Sequence, residues 1–236
     1  MSAGAVSIAR ALNDVQARIH AAAAASGRDA STVRLIAVSK TQPAEAVREA
    51  YAAGQRDFGE NYVQELLEKA EALRDLTELN WHMIGHLQRN KAKQIATLVQ
   101  LVHTVDSVDL ARELAKRFAA AVTDRRLRVL VEVSIAGEEQ KHGAAPADLT
   151  ELCESIEALP ALSLAGLMCV PPFTADPAGA RPFFDALSAL RERHGGAARL
   201  PELSMGMTHD LEHAVAAGAT LVRVGTAIFG ARAAKA

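Results

Sequence analysis

A (β/α)8 barrel is the fold the sequence predicts, and three observations predict it. Eight short apolar or β-branched runs alternate with longer stretches of helical period, which is the pattern of repeated βα units. The chain has 236 residues, 50% of them hydrophobic, enough for one such barrel and its core. An open doubly wound sheet is the alternative, but the G-x-G-x-x-G turn that marks it is missing after the first strand.

In order along the chain, the opening "MSAGAVSIARALNDVQARIHAAAAASGRDAS" carries Arg10, Asp14 and Arg18 at an amphipathic spacing, unlike the unbroken apolar core of a signal peptide. A leading helix within residues 1–30 is expected, packed outside the barrel or capping its bottom. The strands are expected at "RLIAVS" (34–39), "RDFGE" (56–60), "NWHMIG" (80–85), "LVHTVDS" (101–107), "LRVLVEVS" (127–134), "LAGLMCV" (164–170), "ELSMG" (202–206) and "LVRVG" (221–225). Helices are expected between them, opening at "PAEAVREAYAAG", "NYVQELLEKAEAL", "NKAKQIATLV", "SVDLARELAKRFAAAV", "APADLTELCESIEAL", "DPAGARPFFDALSALRERHG" and "HDLEHAVAAG". Several of these start near Pro, Asn, Ser or Asp, and the first and the last two finish on Gly, as helix boundaries do. No linker rich in Pro, Ser and Gly divides the chain, so one domain over 1–236 is expected, with the barrel over 34–230 and "PPFTADPAGAR" as a loop within it.

Composition excludes several functions. Net charge is −2, and the basic residues are scattered among acidic ones rather than gathered in a stripe, which leaves no footprint of a nucleic-acid binder. Cys153 and Cys169 stand in different segments without metal-ligand spacing, so buried, reduced core thiols are expected rather than a disulfide or a zinc site. No apolar run reaches the roughly 20 residues of a membrane helix. The expected protein is cytoplasmic, soluble and monomeric, with a small-molecule ligand.

In a barrel, chemistry sits at the C-terminal ends of the strands. Those ends place Ser39 and Lys40, Glu60 and Asn61, Gly85 and His86, Asp106 and Ser107, Ser134, Met168, Ser204, and Arg223, Gly225 and Thr226 on one rim. Taken alone, Lys40 marks where a strand reaches water. At a barrel mouth, a partly desolvated lysine can instead act as an amine that forms a Schiff base with an aldehyde. The last quarter of the chain bears on the choice. "SMGMT" and "VRVGT" each finish a strand in small residues, Ser204, Gly206, Gly225 and Thr226, which expose backbone N–H groups and hydroxyls. The loops after strands seven and eight are where barrels commonly bind phosphate. Either stretch alone reads as a turn; both in those two loops favour phosphate. An aldehyde-binding lysine facing a phosphate cradle describes one cofactor, pyridoxal 5′-phosphate. Arg223, next to the cradle, is either one half of a core ion pair or a donor to the pyridine nitrogen. In the second role a guanidinium that keeps its charge disfavours protonation of that nitrogen and weakens the cofactor as an electron sink.

The motifs "AVSKT", "FGENYVQE", "WHMIGHLQRNK", "VDS", "EEQKHG", "GLMCVPP" and "SMGMTHDLEHAVAAGATLVRVGTAIFG", in this order from about Leu35 to Gly230, resemble the YggS/PROSC family of pyridoxal phosphate homeostasis proteins. That family is similar to the barrel domain of alanine racemase, the fold type III barrel, without its second domain. The resemblance implies a Schiff base on Lys40, with Asn61, His86 and Met168 lining the cofactor pocket. It also implies phosphate held around Ser204, Gly225 and Thr226, and Arg223 facing the pyridine nitrogen. Met83 and Thr208 stand where phenylalanine and serine are commoner, and Thr208 keeps a hydroxyl. Asn61 could equally cap the next helix, and Met168 could be core. The basic run Arg89, Lys91 and Lys93 could form an anion or nucleic-acid patch, but reads better as a solvated helical face.

Two functions follow from such a site. In one, the protein holds pyridoxal phosphate reversibly and supplies it, with apo-enzymes that use the cofactor as expected partners. In the other, it is an amino-acid racemase or decarboxylase. Racemisation needs an acid or base on each face of the substrate, and Lys40 serves one; the chain stops six residues after Gly230, in "ARAAKA", so no second domain is expected to supply the other. The carrier is therefore expected, and not an enzyme. A Schiff-base aldolase on the same barrel would leave Arg223 beside the cradle without a role.

Overall fold

The computed structural model describes residues 7–121, 124–137 and 142–230. Eight parallel strands, β1 (Arg34–Val38), β2 (Asp57–Glu60), β3 (Asn80–Met83), β4 (Val99–Val105), β5 (Leu127–Glu132), β6 (Leu162–Met168), β7 (Glu202–Ser204) and β8 (Leu221–Val224), pair in sequence order. β8 closes the ring on β1 through four residue pairs, from Arg34 with Leu221 to Ala37 with Val224. Parallel neighbours cannot be joined by a tight turn, so each connection returns along the outside of the barrel. Those returns carry α2 (Ala44–Ala52), α3 (Val63–Ala72), α4 (Ala92–Ile95), α5 (Val108–Ala119), α6 (Leu149–Glu157), α7 (Arg181–Arg193), α8 (Gly196–Arg199) and α9 (Leu211–Ala216). α1 (Ile8–Ala25) precedes the first strand and α10 (Thr226–Phe229) follows the last.

All eight expected strands form, with ends displaced by one or two residues. The largest departure is the helix expected over 90–99. A 3-10 turn at Arg89–Lys91 leads into the short α4, and Val99 already pairs with Trp81 on the neighbouring strand. The β-branched, period-two run from Val99 to Val105 extends the sheet at the expense of the helix.

Alternate residues of every strand face inward. Inside the ring, Ile36, Leu101, Leu130, Ala165, Met168 and Leu221 form a buried apolar layer separate from the larger core between strands and helices. Below that layer Glu202 closes the N-terminal end of the barrel. It accepts from Arg34 at 2.7 Å, Arg128 at 2.8 Å and the Thr220 hydroxyl at 2.6 Å. Charge enters this interior in hydrogen-bonded form, as the cost of burying a lone ion demands.

α1 lies outside the barrel, against α2, α9 and α10, rather than beneath its bottom. Ala11, Leu12, Val15, Ile19, Ala22 and Ala23 recur at helical spacing and make its buried stripe. Arg18 leaves this stripe to pair with Glu212 at 2.7 Å and to donate to the Thr208 carbonyl at 2.9 Å. The first helix thereby braces the loop after β7.

Gly166 is the tightest point of the sheet. At φ +150°, a Cβ there would lie 1.9 Å from the Glu202 carbonyl oxygen, where β6 passes β7. Gly166→Ala should lower unfolding stability by roughly 3 kcal/mol or more, because backbone itself must move. Gly27→Ala, at φ +66° with nothing within 4 Å, should cost only about 1 kcal/mol. Urea unfolding followed by circular dichroism compares the two; equal losses would contradict the steric account.

Candidate functional site

The C-terminal rim of the barrel holds two adjoining cavities that share Asn61, Ile84 and Val170. The larger, about 450 Å³, is lined by Lys40, Asn61, Thr208, Arg223, Gly225 and Thr226, with Phe173 and Met207 at its edge. The smaller, about 310 Å³, is lined by His86, Glu132, Ser134 and His142. Both are of small-molecule size. Five of the eight residues singled out in the sequence thus share one cavity, His86 lies in its neighbour, and Ser204 and Met168 lie below.

Lys40 is held by what flanks it. β1 ends at Val38, and the buried Ser39 donates its N–H to the Gly59 carbonyl at 3.1 Å and its hydroxyl to Glu60 at 2.7 Å. Lys69 of α3 donates to the Ser39 carbonyl at 2.7 Å, to Glu60 at 2.6 Å and to Glu65 at 3.2 Å. On the other side, Thr41 adopts φ 64° and donates its N–H to Glu65 at 2.6 Å. A threonine in the left-handed region stores about 1–3 kcal/mol of strain, which persists where its surroundings over-determine it. Burial raises the Glu60 carboxyl and Lys69 pulls it back, and Glu60 Oε2 has no hydrogen-bond partner among the described residues. Lys69 escaped the sequence reading because Glu65 and Lys69 at i,i+4 look like any exposed helical pair.

Opposite Lys40, the loops after β7 and β8 meet with the Thr208 and Thr226 hydroxyls 3.1 Å apart. The Gly225 carbonyl accepts from Ile228 and Phe229 at 2.9 Å and opens α10. A side chain at Gly225 would crowd the Val38 carbonyl, 3.1 Å from where its Cβ would stand. Ser204 does not join this cradle, contrary to expectation. It is the last residue of β7, and strand alternation turns its hydroxyl into the barrel, where it contacts Arg223 at 2.6 Å and His103 at 2.8 Å. Thr208 takes the rim position instead.

Met168 also departs from the expected pocket: it is fully buried in the apolar layer with Ile36, Leu101 and Leu130 and lines neither cavity. Asn61 goes the other way. Tyr62, not Asn61, stands at the N-cap of α3, without a side-chain capping bond, so Asn61 faces the cavities rather than the helix.

Arg223 is 4% exposed. Its Nη1 donates to Ser204 and its Nη2 to the Cys169 carbonyl at 3.0 Å, so its guanidinium is anchored by neutral groups and not, among the described residues, by a core ion pair. Burial lowers its pKa, opposed by Cys169, Glu132 and Asp210. Burial pushes the Glu132 carboxyl up to about 7 against the pull of Arg223, and Glu132 Oε2 is likewise without a partner among the described residues. Burial lifts the Cys153 and Cys169 thiols to about 11 and about 12, as inert core thiols require.

His86 stacks face to face on His142 with centroids 3.5 Å apart, and its Nδ1 is 3.6 Å from Asp106. Burial and His142 lower its pKa, and Asp106 opposes them. The two rings are nearly parallel, at 8°, so their in-plane lone pairs do not converge on one metal ion. Of the motif "EEQKHG", residues 138–141 lie outside the described residues. Arg89, Lys91 and Lys93 are exposed, and Arg89 pairs with Asp109 at 3.2 Å.

The chain matches the family described as "Alanine racemase, N-terminal domain" over residues 11–233. It is 50% identical over 226 residues to the pyridoxal phosphate homeostasis protein of Pseudomonas aeruginosa, covering 95% of this chain and 96% of that one. The protein of the same name from Aquifex aeolicus is 45% identical, with 94% and 96% covered. Among solved structures, PipY of Synechococcus elongatus, with pyridoxal phosphate (PLP) bound, superposes with a TM-score of 0.82 at 37% identity, covering 94% of this chain and 100% of that one.

Two predictions concern the buried carboxylates. Lys69→Met should lower stability at pH 7 by about 3 kcal/mol, because it strands Glu60, and adding Glu60→Gln should recover most of the loss. For Glu132 the folded pKa, about 7, lies above the ordinary 4.5, so the native state binds the extra proton and the wild type loses stability as pH rises from about 4.5 to 7. Glu132→Gln, which cannot ionise, should therefore gain on the wild type by up to roughly 3 kcal/mol between pH 5 and pH 8. Urea midpoints at the two pH values measure that gap; a constant gap would refute it.

Proposed function

The chain belongs to the pyridoxal phosphate homeostasis proteins, built on the alanine racemase N-terminal domain, and from that premise we propose that it binds pyridoxal 5′-phosphate as a reversible Schiff base on Lys40 and serves to buffer and supply it. The observation that carries this reading is the single cavity joining Lys40, Arg223 and the Thr208–Thr226 cradle. Gly225, Thr208 and Thr226 hold the phosphate with backbone N–H groups and hydroxyls, and Arg223 faces the pyridine nitrogen as a donor. Asn61 lines the wall between the two cavities, and His86 lies in the adjoining one, beside the ring rather than against it. When bound, the cofactor supplies an electrophilic aldehyde that condenses with an amine and releases water.

The electrostatics favour holding over catalysis. Arg223 keeps its proton, so the ring nitrogen beside it gains none, and the cofactor's electron sink stays weak. A racemase or decarboxylase would also need an acid or base facing Lys40. The ionisable side chains lining the cavity among the described residues are Lys40, His209 and Arg223; Arg223 has no proton to give, and His209 stacks on Phe173 at the exposed edge, centroids 5.6 Å apart. No helix among the described residues is long and apolar enough to cross a membrane. A monomer in the cytoplasm, passing the cofactor to apo-enzymes, completes the proposal.

The test is an absorbance spectrum with added pyridoxal phosphate. A Schiff-base band should form, borohydride should abolish it and fix the label on Lys40, and Lys40→Ala should lose both. Pyridoxal without phosphate should bind at least tenfold more weakly, the worth of about one charge-assisted contact. No band, or a label on Lys69 or another lysine, would reject the site; sustained turnover of an amino acid, lost in Lys40→Ala, would favour the racemase reading.

A further inference from the structure

A continuous line of hydrogen bonds crosses the inside of the barrel from its lower end to Arg223. Asp57 Oδ1 is 2.9 Å from His82 Nε2, His82 Nδ1 is 3.0 Å from His103 Nε2, His103 Nδ1 is 2.8 Å from Ser204 Oγ, and Ser204 Oγ is 2.6 Å from Arg223 Nη1. The residues come from β2, β3, β4, β7 and β8. β4 and β7 are not neighbours in the ring, so the link between His103 and Ser204 runs through the barrel interior. His82, His103, Ser204 and Arg223 are all buried, and the Asp57 side chain is 19% exposed.

The two ends determine the direction of every bond between them. Burial pushes the Asp57 carboxyl up, but His82 and Arg34 outweigh it and hold it below the usual range, so Asp57 is a carboxylate and can only accept. Arg223 can only donate. Both imidazoles are held neutral. Burial lowers each, and Arg34 and Arg128 from below add to this; His103 also faces His82 and Arg223, while only Asp57 raises His82. A neutral imidazole has one donor and one acceptor, so a single assignment satisfies the line. Arg223 donates to Ser204, Ser204 to His103 Nδ1, His103 Nε2–H to His82 Nδ1, and His82 Nε2–H to Asp57.

We propose that Asp57, His82 and His103 are positioning residues that orient the Ser204 hydroxyl to receive Arg223 and so hold its guanidinium plane at the floor of the cavity. The hydroxyl proton of Ser204 is directed away from Arg223 into the barrel, which leaves its lone pair for Nη1. With Nη2 on the Cys169 carbonyl, Arg223 is clamped at two points without a carboxylate to neutralise it. Its remaining N–H groups then meet a ligand as a fixed, fully charged donor. The benefit to ligand binding rests on the proposed cofactor site; the hold on Arg223 does not.

Ring-nitrogen NMR of 15N-histidine-labelled protein tests this without cofactor. His82 and His103 should appear as two Nε2–H tautomers that do not titrate between pH 6 and 8; an Nδ1–H tautomer or protonation of either overturns the line. Ser204→Ala should move the His103 Nδ1 resonance and weaken pyridoxal phosphate binding about tenfold, the loss of one bond to a charged group. In the wild type, bound pyridoxal phosphate should also shift the His103 Nδ1 resonance. A resonance unmoved by cofactor that absorbance shows to be bound would make the histidines mere barrel filling and overturn the proposal. If the cofactor fails to bind the wild type, the proposed function falls, while the tautomers and the Ser204→Ala resonance still decide the hold on Arg223. Should Ser204→Ala not fold, the wild-type tautomers decide it alone.

Discussion

The inside of an eight-stranded barrel has room for side chains and little for a polar group without a hydrogen-bond partner. Each strand must send alternate residues into that space, and this chain sends several polar ones, Arg34, Asp57, His82, His103, Arg128, Ser204 and Arg223 among them. The buried ones, His82, His103, Ser204 and Arg223, are tolerable there because each finds a partner on a different strand, while Arg34 and Arg128 stay partly exposed. Glu202 gathers two arginines at the lower end, and the histidine pair spans the middle. The apolar layer of Ile36, Leu101, Leu130 and Leu221 fills the remaining space. The cavity at the rim is therefore floored by groups whose hydrogen bonds are already assigned, and its chemistry is left to the residues just above them.

That separation by one strand position explains what was legible in the sequence. The eight strands could be read because period two and period 3.6 alternate cleanly, and the rim residues Lys40, Arg223, Gly225 and Thr226 because strand ends converge in a barrel. Ser204 and Met168 were misplaced for the same physical reason. Near a strand end, one residue decides between the cavity and the layer beneath it, and the expected strands ran up to two residues past their actual ends. Lys69 was hidden by resembling a surface ion pair. His82 and His103 stand 21 residues apart, and only the pairing of β3 with β4, which carries a register shift between Trp81 and His82, brings their rings together.

The charges around the cavity divide the work between its two sides. On the β1 side the buried Glu60–Lys69 pair, with Glu65, pins the backbone on either side of Lys40. On the β8 side the guanidinium of Arg223 has no ion-pair partner among the described residues, and the Glu132 carboxyl near it, pushed up to about 7 by burial, is only about half ionised at pH 7. An amine carried on a pinned backbone at one end and an anchored cation at the other suit a ligand that brings its own negative charge and its own electrophile.

The bond from Arg18 to the Thr208 carbonyl has a consequence for how the protein is made. Lys40 is synthesised well before the loops it faces, and although α1 can pack on α2 early, the rest of its packing surface waits for α9 and α10. β1 likewise waits for β8 to complete its pairing. Contacts between the first and last parts of a chain are slow to form. A nascent chain that has made β1 but not β8 therefore carries Lys40 without the loops it faces, and the cavity exists only once β8 pairs with β1 and closes the ring.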